Sequence, residues 1–168
     1  MHEELNALAT TLLQQAKRTG LTIVTAESCT AGLLALVLSD AEGAAEHFHG
    51  GFVTYTKGHK TCALGVPGHV LYEQGAVCGT VARAMADGAL LHATATLAAA
   101  ITGVAGPEPD DDGNPVGRVC IAVARRGFPT RDFEKNYGAI GRDAIRQRAV
   151  ADALRALVEA AASVPAAA

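Results

Sequence analysis

The sequence predicts an α/β fold, a three-layer α/β/α sandwich with a mixed sheet of about five strands. Two observations predict it. Helix-period and strand-like segments alternate through most of the chain, which suits parallel strands joined by helical crossovers. Late in the chain, two strand-like segments follow one another with only a short turn between them, which suits an antiparallel pair.

The elements follow in order. Leu5, Leu8, Leu12, Leu13 and Ala16 recur at helical spacing, and Gly20 is a stop signal. Leu21–Ala26 (LTIVTA) is rich in β-branched residues and reads as a buried strand. Thr30–Leu38 reads as a helix with small residues at its start. Gly50–Thr56 (GGFVTYT) is a second strand, Lys57–Leu64 a short helix, and Thr80–Leu91 a long apolar-faced helix. Leu97–Thr102 (LAAAIT) is a third strand, although its alanines also suit a helix. Val116–Ala124 and Arg131–Tyr137 are two more strands, joined through the turn Arg126-Gly127-Phe128-Pro129. Asp143–Ala162 is the last helix, and Val164–Ala168 is expected to fray. No internal repeat or linker divides the 168 residues, so one domain spanning 1–168 is expected.

Composition narrows the function. Hydrophobic residues make up 49% of the chain and tryptophan is absent; much of that fraction is alanine, so a core of closely packed Leu, Val, Ile and Ala is expected. A net charge of −3 does not imply a broad basic surface for nucleic acid. No apolar run approaches the ~20 residues that cross a bilayer. The N-terminal segment is acidic, with no Lys or Arg before Lys17, the wrong charge for a signal peptide. A cytoplasmic protein without a membrane partner is the expectation. Cys29, Cys62, Cys78 and Cys120 have neither zinc-site nor disulfide-framework spacing, so free thiols are expected. His47 and His49 stand two apart, as two ligands on one strand face would, but no third ligand is near; a surface loop is the simpler reading.

Three segments can carry chemistry. Ala26–Gly32 (AESCTAG) falls where a strand turns into a helix, and backbone N–H groups there favour an anion or a developing oxyanion. Ser28 is then either a nucleophile beside backbone donors or, like Thr30, a helix cap. Thr54–Lys60 (TYTKGHK) offers a tyrosine and two lysines at a strand end. A lysine acts as a base only when neutral, which burial or a nearby cation promotes; solvation is the common alternative. Ile101–Pro107 (ITGVAGP) opens a long irregular stretch, 103–115. Its glycines permit close backbone approach to a ligand, or simply a tight turn, and it is neither a dinucleotide fingerprint nor a P-loop. Asp110-Asp111-Asp112-Gly113 lacks the alternation of a calcium loop and reads as a solvated turn.

Taken together, AESCTAG, GGFVTYT, QGAV, ITGVAGP and NPVGRV resemble, in order and spacing, the CinA C-terminal-domain family of PncC-like nicotinamide-nucleotide amidases. The likeness runs from about Leu21 to Leu157. It implies an α/β/α domain, often a homodimer, that deamidates nicotinamide mononucleotide to nicotinate mononucleotide and ammonia. Some members carry an additional N-terminal nucleotide-hydrolase domain, for which this chain is too short. By position, the family's nucleophile falls on Ser28, and its lysine and tyrosine on Lys60 and Tyr55. Thr30 and Gly32 at the helix start, and the loop with Thr102, Gly103 and Gly106, are expected at the substrate. Arg142 and Arg146, four apart near a helix start, suit a phosphate, or else a solvated helix face. The expected reaction is acyl transfer without metal or organic cofactor. Ser28 attacks, Lys60 and Tyr55 move the proton, and N–H groups around Ser28 and Thr30 hold the oxyanion. Cys29 is the rival nucleophile, since a helix N-terminus lowers a thiol's pKa. A non-catalytic nucleotide-sensing or competence-related partner domain is the alternative of another class. The sequence departs from the family pattern at Ala31 for a glycine, Lys57 for an asparagine and Cys78 for a serine. It also departs in the acidic stretch after Pro107, and in Ile140-Gly141-Arg142 for Gly-Asp-Arg.

Overall fold

The structure, a computed structural model, describes residues 2–165; of the tail expected to fray, 166–168 lie outside them. Five strands form one sheet in the order β2-β1-β3-β4-β5: β1 (Ile23–Glu27), β2 (Phe48–Val53), β3 (Leu97–Gly103), β4 (Arg118–Arg125) and β5 (Arg131–Asn136). β1 pairs in parallel with β2 and β3, whereas β3–β4 and β4–β5 are antiparallel. The sheet is therefore mixed, as the segment order predicts.

Period-two alternation decides which residues face which layer. In β3, Leu97, Ala99 and Ile101 pack with α1 (His2–Thr19), α2 (Leu33–Ser39) and α7 (Arg142–Ala162). Ala98 and Ala100 face the other way, with Ala122 and Ala124 of β4, onto Ala82, Met85, Ala86 and Ala89 of α6 (Gly79–Leu91). That second layer also holds α4 (Lys57–Leu64) and α5 (Gly68–Gln74). Small side chains on both surfaces let α6 lie close to the sheet. At Gly88 a Cβ would stand 2.0 Å from the Leu64 carbonyl oxygen, so this glycine lets α6 and the end of α4 meet backbone to backbone. Both faces of the central strands are buried, which explains why they read as apolar runs and not as alternating ones.

Several expected boundaries move. The second strand runs over Phe48–Val53, not Gly50–Thr56; after Val53 the chain leaves the sheet, and Thr56 caps α4 through its Oγ1, which accepts from His59 N–H at 3.1 Å. His47 and His49 are not in a loop. His47 ends α3 (Ala44–His47), its Nδ1 3.0 Å from the Leu21 carbonyl, and His49 lies in β2. The short helices α3 and α5 have no counterpart in the sequence reading, since four and seven residues are too few to show a 3.6-residue period. The helix expected from Thr30 begins at Leu33, with Gly32 as its N-cap. All four cysteines are free thiols.

Candidate active site

Glu27 is the last residue of β1, and its side chain is fully buried. It turns toward the start of α2, where Oε2 accepts from the N–H groups of Gly32 at 3.1 Å and Leu34 at 3.0 Å, and Oε1 accepts from Ala35 N–H at 2.8 Å. A carboxylate at the positive end of a helix satisfies donors that would otherwise be orphaned. The helix is thus capped by Glu27, and neither Ser28 nor Thr30 is its cap. The same contacts occupy the helix N-terminus, so it is not open to an oxyanion. The Ser28 amide donates to the Ile101 carbonyl at 2.9 Å. Among the described residues, the N–H groups of Cys29 and Thr30 have no protein acceptor.

Freed from capping, Ser28 presents its hydroxyl to Lys60. The two polar atoms are 2.8 Å apart, and Lys60 Nζ also donates to the carbonyls of Thr54 at 2.8 Å and Tyr55 at 3.4 Å. Lys60 lies on the buried face of α4, three residues after Lys57, and is only 1% exposed. Burial pulls its pKa from 10.5 down to about 8. Among the described residues no carboxylate forms an ion pair with it. Tyr55 stands otherwise than expected: its side chain is 61% exposed, and it meets Lys60 through its carbonyl, not its hydroxyl. Cys29 also departs from expectation. Burial against the α1–α2–α7 core pushes its thiol up to about 12, because desolvation outweighs the attraction of Arg146 and Lys60.

Ser28 and Lys60 open on a cavity of about 440 Å³. Thr102, Gly103 and Gly106 lie on its wall, and the Thr102 hydroxyl donates to the Ala76 carbonyl at 2.8 Å, tying the end of β3 to the segment before α6. Arg142 and Arg146, from the start of α7, line the opposite layer's side. Arg142 donates to the Gly106 carbonyl and Arg146 Nε to the Cys29 carbonyl at 2.7 Å, which holds both guanidinium groups at the cavity. Thr30 and Gly32 are not on the wall; the turn that supplies Glu27 with donors carries them behind it. Nor is the acidic run a freely solvated turn. Asp110 accepts from the Asn114 amide and side chain, both at 2.7 Å, and Asp112 pairs with Lys57 at 2.6 Å. Among the described residues no group of three or more His, Cys, Asp or Glu is placed to hold a metal ion.

Sequence reasoning missed Glu27, Thr54 and Asp112. A glutamate at the end of an apolar strand, five residues before the glycine that starts the helix, is a usable cap signal. The Thr54 carbonyl lies only six residues before Lys60, but its role depends on how the chain turns into α4; the Asp112 contact joins segments 55 residues apart and leaves no local trace.

Comparison with known proteins places this arrangement in context. The family described as the CinA C-terminal domain matches residues 5–161. A CinA-like protein of Geobacter sulfurreducens is 44% identical over 142 residues, 84% of this chain and 34% of that protein. The chain thus spans about a third of the length of the first curated relatives it matches. The nicotinamide-nucleotide amidohydrolase PncC of Escherichia coli K12 is 41% identical over 155 residues, covering 92% of this chain and 93% of that one. Among solved structures, the competence/damage inducible protein CihA of Agrobacterium tumefaciens superposes with a TM-score of 0.90 at 39% identity, covering 93% of this chain and 94% of that one. A CinA superfamily protein of Klebsiella pneumoniae gives 0.89 at 33% identity, covering 94% and 98%.

Proposed function

The chain belongs to the CinA C-terminal domain family, and from that premise we propose that it is an amidohydrolase that converts nicotinamide mononucleotide to nicotinate mononucleotide and ammonia. The proposed setting is the cytoplasm. The observation that carries the reading is the 2.8 Å approach of Ser28 Oγ to the buried Lys60 Nζ at a cavity wall.

A neutral lysine has two N–H bonds and one lone pair. The Thr54 and Tyr55 carbonyls accept the two N–H groups, so the lone pair faces the Ser28 hydroxyl. With a pKa of about 8, roughly a tenth of the lysine is neutral at pH 7. Lys60 takes the hydroxyl proton as Ser28 Oγ bonds to the amide carbon. The C=O becomes a tetrahedral oxyanion, for which the unpartnered N–H groups of Cys29 and Thr30 are the donors next to Ser28. The C–N bond then breaks. Lys60 returns the proton to the departing nitrogen, and ammonia leaves an acyl ester on Ser28. Water, deprotonated by the same amine, cleaves that ester and releases the carboxylate. Arg142 and Arg146 offer their remaining N–H groups to the phosphate. The free carboxylates Glu108 and Asp111 on the cavity wall suit the positive pyridinium ring.

The test is ammonia release from nicotinamide mononucleotide by the purified chain and by Ser28→Ala. Turnover in the first and a loss of at least about 10³-fold in the second is expected. Undiminished turnover in Ser28→Ala removes the serine from the reaction; binding of the nucleotide by the parent chain without any ammonia makes the domain a sensor instead.

A further inference from the structure

Lys57 and Asp112 meet across the mouth of the cavity. Lys57 is at the start of α4, one turn before Lys60, and Asp112 is at the tip of the loop between β3 and β4. Their charged atoms are 2.6 Å apart. The second oxygen of Asp112 accepts from Ala76 N–H at 3.1 Å, so the carboxylate is held from two directions. The hydrogen bond from Lys57 is the main reason the Asp112 carboxyl sits below its ordinary pKa. Gly75 makes room for it: a Cβ there would stand 2.9 Å from the Asp112 oxygen.

The same two residues line a second cavity, of about 490 Å³, on the far side of the pair. Its other walls are Thr61, Gly58, Gly68, Leu71 and Tyr72, and Tyr72 is 91% exposed. The ion pair is thus a wall common to the two spaces. Its place relative to the reacting atoms follows from the layers. Arg142 and Arg146 come from α7, on one face of the sheet, whereas Lys60 and Lys57 come from α4, on the other. A substrate held by phosphate on the arginine side, with its carbonyl at Ser28, directs its departing nitrogen toward α4.

We propose that the Lys57–Asp112 pair is a specificity-determining partition on the leaving-group side, which confines the leaving group to ammonia, and that the cavity behind it takes the apolar N-substituent of a secondary amide when the pair is broken. This rests on the amidohydrolase reading above. An N-alkyl or N-aryl group has no hydrogen-bond capacity to replace the ion pair it would displace, so primary amides are preferred while the pair is intact. Beyond it, Leu71, Tyr72 and the bare backbone of Gly58 and Gly68 form a surface suited to an aromatic ring.

The experiment is calorimetric binding of nicotinamide mononucleotide and of its N-benzyl amide to the parent chain, Lys57→Ala and Asp112→Ala, with thermal unfolding of each as a check on folding. Lys57→Ala keeps the Ala76–Asp112 hydrogen bond and so preserves the loop anchor. The parent is expected to favour the primary amide by at least about ten-fold, and each variant to narrow that ratio at least about five-fold. Kinetic ratios of ammonia to benzylamine release should move the same way. An unchanged ratio in a folded Lys57→Ala overturns the partition while leaving the amidohydrolase reading intact. A parent chain that binds neither compound overturns both, and a parent that binds both equally overturns the partition alone.

Discussion

Lys60 shows how one side chain's surroundings set its chemistry. Burial lowers the amine's pKa from 10.5 to about 8, while two carbonyls fix where it points. If it is the base, kcat/KM should climb with pH, reach half its maximum near pH 8 and level off about a unit above, with no ascending limb near 6 of the kind a histidine gives. A pH–rate profile on nicotinamide mononucleotide checks this, and a limb centred near 6 would move the role to another group. Lys60→Arg keeps the positive charge but does not release a proton at working pH, so turnover should fall by at least about 10²-fold. Activity in that variant within a few-fold of the parent would leave Ser28 without an identified base.

At the scale of the element, the turn from β1 to α2 is where sequence departure and backbone strain coincide. Ala31 has φ 53, a left-handed conformation that suits glycine, and it stands where the family pattern has glycine. Ala31→Gly should therefore raise stability, by ~0.5–1 kcal/mol, in urea unfolding; the gain is limited because glycine also makes the unfolded chain freer. Glu27 acts in the opposite sense. Glu27→Ala leaves the Gly32, Leu34 and Ala35 N–H groups without their acceptor in a buried place, which should cost about 2–4 kcal/mol. The loss should be accompanied by loosening of α2, readable as faster amide exchange at Leu34 and Ala35. Stability equal to the parent's would show that water replaces the carboxylate without penalty.

For the whole molecule, the buried lysine links activity to stability. Its pKa in the folded state, about 8, lies below the unfolded value of 10.5. The unfolded chain therefore binds more protons between those two values, and stability rises with pH across that window. Below pH 8 the cost is fully present, about 3 kcal/mol by linkage; above 10.5 this contribution vanishes. Lys60→Met, which keeps the apolar stem without the amine, should consequently be more stable than the parent at pH 7, by ~1–3 kcal/mol, and catalytically dead. Thermal unfolding of both proteins at pH 7 and pH 10 checks this: the gap should shrink at the higher pH. A gap independent of pH would mean that Lys60 pays no desolvation penalty.

Local pattern determined much of this protein by itself. The α4 bounds match, and the edges of β3, β4, α6 and α7 lie within two residues, because apolar period and stop signals are properties of neighbouring residues. The residues Ser28, Lys60, Thr102, Gly103, Gly106, Arg142 and Arg146, singled out from motifs together with the family resemblance those motifs carry, all reach one cavity. Tertiary structure decided the rest. That Glu27 caps α2 and releases Ser28 depends on the sharp turn after β1. That Cys29 is pushed up to about 12, and not down, depends on the α1–α2–α7 core closing over it. That Lys60 and not Lys57 is buried depends on the face of α4 that packs onto the sheet, and that Lys57 instead finds Asp112 depends on where a distant loop returns. Burial and long-range pairing set charge states, and a linear pattern records neither: it states which groups exist, while the fold states which of them lose their water.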